Sequence, residues 1–258
     1  MMMRAIAAAA VLTVSSAAAW AAAEATLPLH VYGPGGPAPA MKAAAKAFQA
    51  KSGVEVDVEA GPAPSWIAKA KTDADLVFSG SEVMMSDFVG QMDGRIDPAS
   101  IRPLYLRVSA ILVRPGNPAR IKGLADLFAP GHRVVVVDGA GQQGLWEDMA
   151  GRSGDVRSVA ALRRNIVVFA KTSADAKVAW AADPSLDAWI IWGIWQVANP
   201  QLADQVAVEP AYRIYRDAGL ALTHSGEADP RAKAFAAFLA SPEGAEIFAR
   251  WGWLAPMR

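Results

Sequence analysis

The chain contains no cysteine. That absence removes disulfides, thiolate metal sites and a cysteine nucleophile, and with them the cysteine that a lipid anchor at the end of a leader would need. Histidine is scarce as well. His30, His132 and His224 are the only three, and their spacing offers no metal-ligand set, so neither a metal nor a cofactor is expected. Charge is sparse at 19% and balanced, with 25 basic against 25 acidic residues. No run of like charge occurs, and no basic helix face alternates with aromatics, which disfavours nucleic acid and anionic lipid as partners. What the chain does have is apolar substance. At 53% hydrophobic over 258 residues it can fill one large domain or two lobes of roughly 100 residues each.

The first two dozen residues differ from the rest. Arg4 follows three methionines, residues 5–14 form an apolar run, and small residues continue to Ala23. A positive start, an apolar stretch of about 7–15 residues and an A-x-A-like exit describe a secretory signal peptide. The run is shorter than the about 20 residues a spanning helix needs. We therefore expect residues 1–23 to be a cleaved leader, with Ala21-Ala22-Ala23 the preferred exit and Ala19 the second choice, and the mature chain to be exported. Its loss removes one base, Arg4, and takes the formal net charge from zero to −1.

Beyond the leader, short apolar strands alternate with Gly/Pro/Ser turns and amphipathic helices. Residues 29–32 read as a strand running into Gly33-Pro34-Gly35-Gly36-Pro37. A helix over 39–51 follows, with Met41, Ala45 and Phe48 on one face and Gly53 just past its end. Val54, Val56 and Val58 alternate with acids as in a half-buried strand. It ends in Gly61-Pro62-Ala63-Pro64, after which Ser65 opens a helix. Residues 74–78 make a third strand, Ser79-Gly80-Ser81 a loop, and Ser81 an N-cap with Glu82 in the first turn. Three such units imply a parallel sheet covered on both faces. Further strands are expected over 106–113, 133–137, 166–170, 187–192, 212–215 and 220–223. Helices open near Leu145, over 174–182, at Asp229-Pro230 and at Ser241-Pro242-Glu243.

Five strands thus deliver a glycine- or serine-rich loop to a helix start, near 33–37, 61–65, 79–81, 139–144 and 172–174. The first turn of a helix has unpaired N–H groups and a partial positive charge, glycine lets an anion approach, and Ser or Thr adds a donor. Several such ends converging on one cleft would hold an oxyanion without any Lys or Arg. Gly139-Ala140-Gly141-Gln142-Gln143-Gly144 also matches a dinucleotide fingerprint, but the strand at 166–170 ends in Lys171 where an acid is required. Ser79-Gly80-Ser81 lacks the frame of a nucleophile elbow. No acid–base pair is visible, so no enzymatic activity is expected, an exported enzyme being the alternative. Trp189 and Trp192 point to opposite faces of their strand, leaving Trp192 near the carboxyl end to line a crevice. Arg107 reads first as a surface arginine of a hinge strand and second as a charge contact. A monomer is expected.

Three segments carry a family resemblance: Leu29-His30-Val31-Tyr32-Gly33-Pro34-Gly35-Gly36-Pro37, Ala60-Gly61-Pro62-Ala63-Pro64-Ser65-Trp66, and Asp75-Leu76-Val77-Phe78-Ser79-Gly80-Ser81-Glu82. With Ile121-Lys122-Gly123-Leu124-Ala125-Asp126-Leu127 and Ser241-Pro242-Glu243-Gly244-Ala245, the chain resembles AcfC-type (accessory colonization factor) periplasmic solute-binding proteins. It is similar, more broadly, to the molybdate- and sulfate-binding proteins of ABC importers. The resemblance implies an α/β periplasmic-binding-protein type II fold, two lobes joined by hinge strands near 106–113 and 212–216. Lobe 1 would hold residues 24–106 with 215–258 returning to it, and lobe 2 residues 107–214. It also implies a small anionic ligand in the cleft, delivery to an ABC-type inner-membrane permease or a sensor, and a periplasmic location. Carried onto this chain, the ligand positions fall at Gly35, Gly36 and Pro37, where only backbone N–H groups donate, and at Ser65 with Trp66. Others fall at Gln143, at Ser173 and Ala174, and at Trp192 where molybdate binders have a tyrosine, while the glycine- and serine-rich loops at helix starts add Gly80, Ser81, Gln142 and Gly144 as ligand candidates. The loss of two hydroxyls and the gain of Trp and Gln point away from molybdate, toward sulfate, a phosphonate or a small carboxylate with an organic tail.

Overall fold

A computed structural model describes residues 27–139 and 141–256, so the expected leader over 1–23 lies outside the described residues. Three apolar runs open the described chain as strands β1 (Leu29–Gly33), β2 (Val56–Ala60) and β3 (Leu76–Phe78). β1 pairs in parallel with both others. Parallel pairing needs a crossover, and the helices α1 (Ala38–Ser52) and α2 (Ala63–Asp73) supply it. α1 buries Ala40, Met41, Ala44, Ala45 and Phe48 at helical spacing and ends at Gly53, as the sequence predicts. Helix α3 (Glu82–Gln91) follows β3, capped by the Ser81 hydroxyl, which accepts a hydrogen bond from Met84 N.

The long strand β4 (Arg102–Val113) joins the two halves of the molecule. Its first part, Arg102 to Val108, pairs antiparallel with β9 (Tyr215–Leu222), which in turn pairs with β3. Its second part, Ser109 to Val113, pairs antiparallel with β7 (Ala188–Trp192) and β8 (Asp204–Ala207). β5 (Val134–Val137) sits between β7 and β6 (Ile166–Ala170), all three parallel. The order along the sheet is β2-β1-β3-β9-β4-β7-β5-β6, with β8 branching from β4. In the second half the crossovers are α4 (Leu145–Gly151), α5 (Val156–Asn165) and α6 (Ser173–Ala182), and α7 (Ile194–Ala198) follows β7. The chain ends with α8 (His224–Ala228), α9 (Pro230–Leu239) and α10 (Pro242–Arg250). These return to the first half, where Phe235 and Phe238 pack on Phe48.

The result is a two-lobed α/β fold with β4 and β9 as connecting strands. The first three strands pair in parallel as expected, within a larger sheet that is mixed because β4 and β9 run against their neighbours. Two sequence expectations are corrected. The two short strands expected over 212–215 and 220–223 are one, because β4 supplies ladder partners to Asp217 and Gly219 that override their poor strand propensity, and β3 pairs with the residues just beyond them. β4 starts at Arg102 rather than 106, passing Pro103 at a register shift where a missing N–H is tolerated.

Candidate anion-binding cleft

β4 places Arg107 at its passage from one half to the other. In the β4–β9 ladder Arg107 faces Arg216, and two residues on, Ser109 faces Trp192 of β7. The loops after β1, β3 and β5 converge on the same spot. A Cβ at Gly80 would sit 3.3 Å from the Arg107 guanidinium carbon and both terminal nitrogens. One at Gly36 would be 3.7 Å from Nη1, and one at Gly141 3.2 Å from Nη2. The guanidinium therefore lies in a slot walled by three glycine backbones. The Trp192 ring covers it, its centroid 4.3 Å from Cζ, a cation–π contact that desolvation strengthens to about 2 kcal/mol. Gly141 fixes both, its carbonyl accepting from Arg107 Nη2 at 2.8 Å and from Trp192 Nε1 at 3.1 Å.

Arg107 is 4% exposed, which corrects its first reading as a surface arginine. Its Nε is buried without a hydrogen-bond partner, and no carboxylate among the described residues forms an ion pair with it. Arg114, on the same strand, provides the contrast. It also stacks on a tryptophan, Trp180, but donates to the carbonyls of Trp180, Asp183 and Leu186, a purely structural arrangement. Burial pushes the Arg107 guanidinium down to about 9, a shift opposed by Glu82 and reinforced by Arg216. The group still carries its charge at neutral pH. A buried, charged, incompletely bonded cation is costly, and an anion offered to it gains charge-assisted hydrogen bonds.

Beside this slot lies a cavity of about 210 Å³ lined by Ser81, Asp87, Gly141, Gln143, Trp192 and Arg216, among others. Arg216 reaches Asp148 at 3.0 Å and Glu82 at 3.9 Å. Next to it, burial and the Glu82 charge push the Asp217 carboxyl up to about 6, and its Oδ1 is buried without a partner. Among the described residues no group of three or more His, Asp or Glu is placed to hold a metal.

The sequence-predicted positions divide clearly. Gly36, Gly80, Ser81, Gln143 and Trp192 meet around Arg107 or the cavity. Gln142 is buried beside them, its Nε2 donating to Ser173 Oγ while its Oε1 has no partner. Gly144 caps α4, Ala174 lies in the first turn of α6, and Pro37 caps α1 without a side-chain bond. Gly35 is exposed, and a Cβ added to it would meet open space. Ser65 is exposed too and spends its hydroxyl proton on the Pro62 carbonyl. Trp66 lies in an apolar cluster of the first half against Phe88, its indole N–H on Gly61 O. The expected cradle of helix ends without Lys or Arg is thus built around an arginine. Its signal in sequence is a charge in the middle of a mostly apolar strand, legible only once β9 sets Arg216 opposite it.

With this geometry in hand, comparisons place the chain. The model of the bacterial extracellular solute-binding protein family matches residues 29–254, and the chain belongs to that family. Its fold superposes on that of L-phospholactate-bound PEB3 with a TM-score of 0.83 at 37% identity, covering 88% of this chain and 100% of that one. PEB3 is a Campylobacter jejuni protein. The sulfate-binding protein SubI of Mycobacterium tuberculosis gives a TM-score of 0.71 at 20% identity over 88% of this chain and 86% of its own. The periplasmic molybdate-binding protein of Azotobacter vinelandii gives 0.66 at 17%, over 89% and 100%. These are type II periplasmic-binding folds, as is this chain. No curated protein sequence matches it. Among the described residues no helix is long and apolar enough to cross a membrane.

Proposed function

We propose that this member of the extracellular solute-binding family captures a small organic anion in its interlobe cleft, in the periplasm, and hands it to an ABC-type permease. The observation that carries the reading is the Arg107 guanidinium: buried, stacked on Trp192, walled by glycine backbone and, among the described residues, in no ion pair with a carboxylate. It lies where the carboxyl ends of β1, β3 and β5 converge, the usual place for a ligand in α/β proteins. A phosphorylated or carboxylated small acid suits the site better than a bare tetrahedral oxyanion. The cavity adds an indole face and the Gln143 amide to the charge, and the neighbour at 37% identity is seen with phospholactate. AcfC-type membership, a leader over 1–23, and lobes of 24–106 with 215–258 and of 107–214 complete the proposal.

The test is a calorimetric titration of the purified protein against phospholactate, lactate, sulfate, molybdate, phosphate and small carboxylates, with tryptophan fluorescence read in parallel. Saturable binding of one anion that Arg107→Gln abolishes supports the reading. Binding untouched by that substitution, or silence across the panel, overturns it.

A further inference from the structure

We propose that Arg216 is a clasp across the mouth of the cleft, tying the first turn of α3 to the first turn of α4, so that it sets how long the cleft holds its anion without touching the anion. The proposal rests on the anion-binding reading of the cleft for its purpose, though not for its geometry.

Two nitrogens of the Arg216 guanidinium already donate hydrogen bonds to the protein, and the third lies at ion-pair distance from a carboxylate. Nη2 meets Asp148 Oδ2 at 3.0 Å, Nε lies 3.9 Å from Glu82 Oε2, and Nη1 donates to its neighbour's carbonyl, Tyr215 O, at 3.2 Å. Glu82 opens α3, which follows β3 in the first half; Asp148 lies in α4, which follows β5 in the second. Arg216 itself stands on β9, one of the two connecting strands, so a single side chain touches both jaws and the pivot. The other ion pairs among the described residues each stay within one half. A second contact closes the same seam. Met84 of α3 comes so near the loop before α4 that a Cβ on Gly141 would lie 2.7 Å from its Cε. Glu82 is held in place from behind, its Oε1 accepting from Asp217 N at 3.4 Å.

The strength fits a clasp that must let go. Arg216 is 30% exposed, Glu82 55% and Asp148 50%. Pairs this open are weak individually, enough to bias closure and too little to lock it. An arginine serving as a second ligand contact would instead have to leave both acids whenever an anion enters.

Because the chain has no cysteine, Gln91→Cys with Ser153→Cys accepts two spin labels, one beyond each jaw. In ligand-free protein Arg216→Gln should shift the label distances toward longer values. Asp148→Asn, at a half-exposed position safe for folding, should do the same. The double variant should add little to Arg216→Gln alone, since both remove one interaction. Stopped-flow fluorescence with phospholactate and with sulfate should show dissociation faster by about three-fold, the worth of an exposed ion pair, equally for every anion that binds, with association unchanged. Unaltered distances in both variants overturn the clasp. So does an affinity loss that grows with the charge of the anion, which would make Arg216 a ligand contact. If neither probe binds the wild type, the anion reading for those probes fails, and the label distances still decide the clasp.

Discussion

Arg107 and Arg216 stand directly opposite each other on β4 and β9, and only Arg216 has acidic partners. Like charges facing across an antiparallel pair destabilise a sheet, so the strand pair carries a cost that the proposed anion would relieve. Replacing Arg107 with Gln should therefore separate binding from stability. Anion affinity should fall by about thirty-fold or more, the cost of deleting a desolvated charge partner, while the melting temperature of the ligand-free protein holds or rises. Calorimetric titration and thermal melts on the same sample check both; a variant that binds normally removes Arg107 from the site.

The glycine walls can be tested one atom at a time. Alanine at Gly80 puts a methyl 3.3 Å from the guanidinium, which must move off the Trp192 face by a few tenths of an ångström. Affinity should drop with the fold intact. Gly141 differs, since its φ of +77° is one that side chains rarely adopt. Gly141→Ala should cost about 1–2 kcal/mol in backbone strain, besides displacing Met84, and a melt should show it without any ligand.

Asp217 makes stability depend on pH. Burial raises its folded-state value from 3.8 to about 6, so between those values the folded chain binds more protons than the unfolded one. Stability then falls as pH rises through that window and is level above it. Asp217→Asn removes the decline. It should stabilise the protein by about 1 kcal/mol at pH 8, after discounting for solvent screening, and leave it unchanged at pH 4. Chemical denaturation at the two values decides the matter, and an equal effect at both would exclude the carboxyl as its source.

Ser65 separates the sequence expectation from the geometry. A hydroxyl facing a bound anion contributes about 1.5–3 kcal/mol, and that is the loss expected for Ser65→Ala if Ser65 donates to the ligand. With its proton committed to Pro62 O and the residue exposed, the variant should instead keep its affinity within about two-fold. Titration of that one variant is sufficient.

Elements that declare themselves locally were legible in the sequence. The Val-rich β5, the helix ending at Gly53, the Ser81 cap and the Asp229-Pro230 and Ser241-Pro242 helix starts all follow from nearest-neighbour chemistry. What local chemistry could not reveal depends on partners distant in sequence. β8 is a mostly exposed strand with no apolar rhythm, made a strand only by the edge of β4. β9 carries Asp217 and Gly219 through its middle because β3 and β4 flank it. The site follows the same rule. Its glycine loops and Trp192 were visible one by one, whereas the role of Arg107 emerges from a register and a burial that no window of sequence contains.

β9 is the last strand to be made and lies between β3 and β4, in the middle of the sheet rather than at its edge. Until it arrives, the strands on either side have no neighbour to join them, Arg107 has no enclosed slot, and the jaws share no pivot. β9 is thus the strand that completes the candidate cleft. A chain truncated before Tyr215 would have most of the loops and none of the proposed affinity, and a ligand that binds only the completed fold would raise its resistance to unfolding with the logarithm of free ligand concentration over Kd.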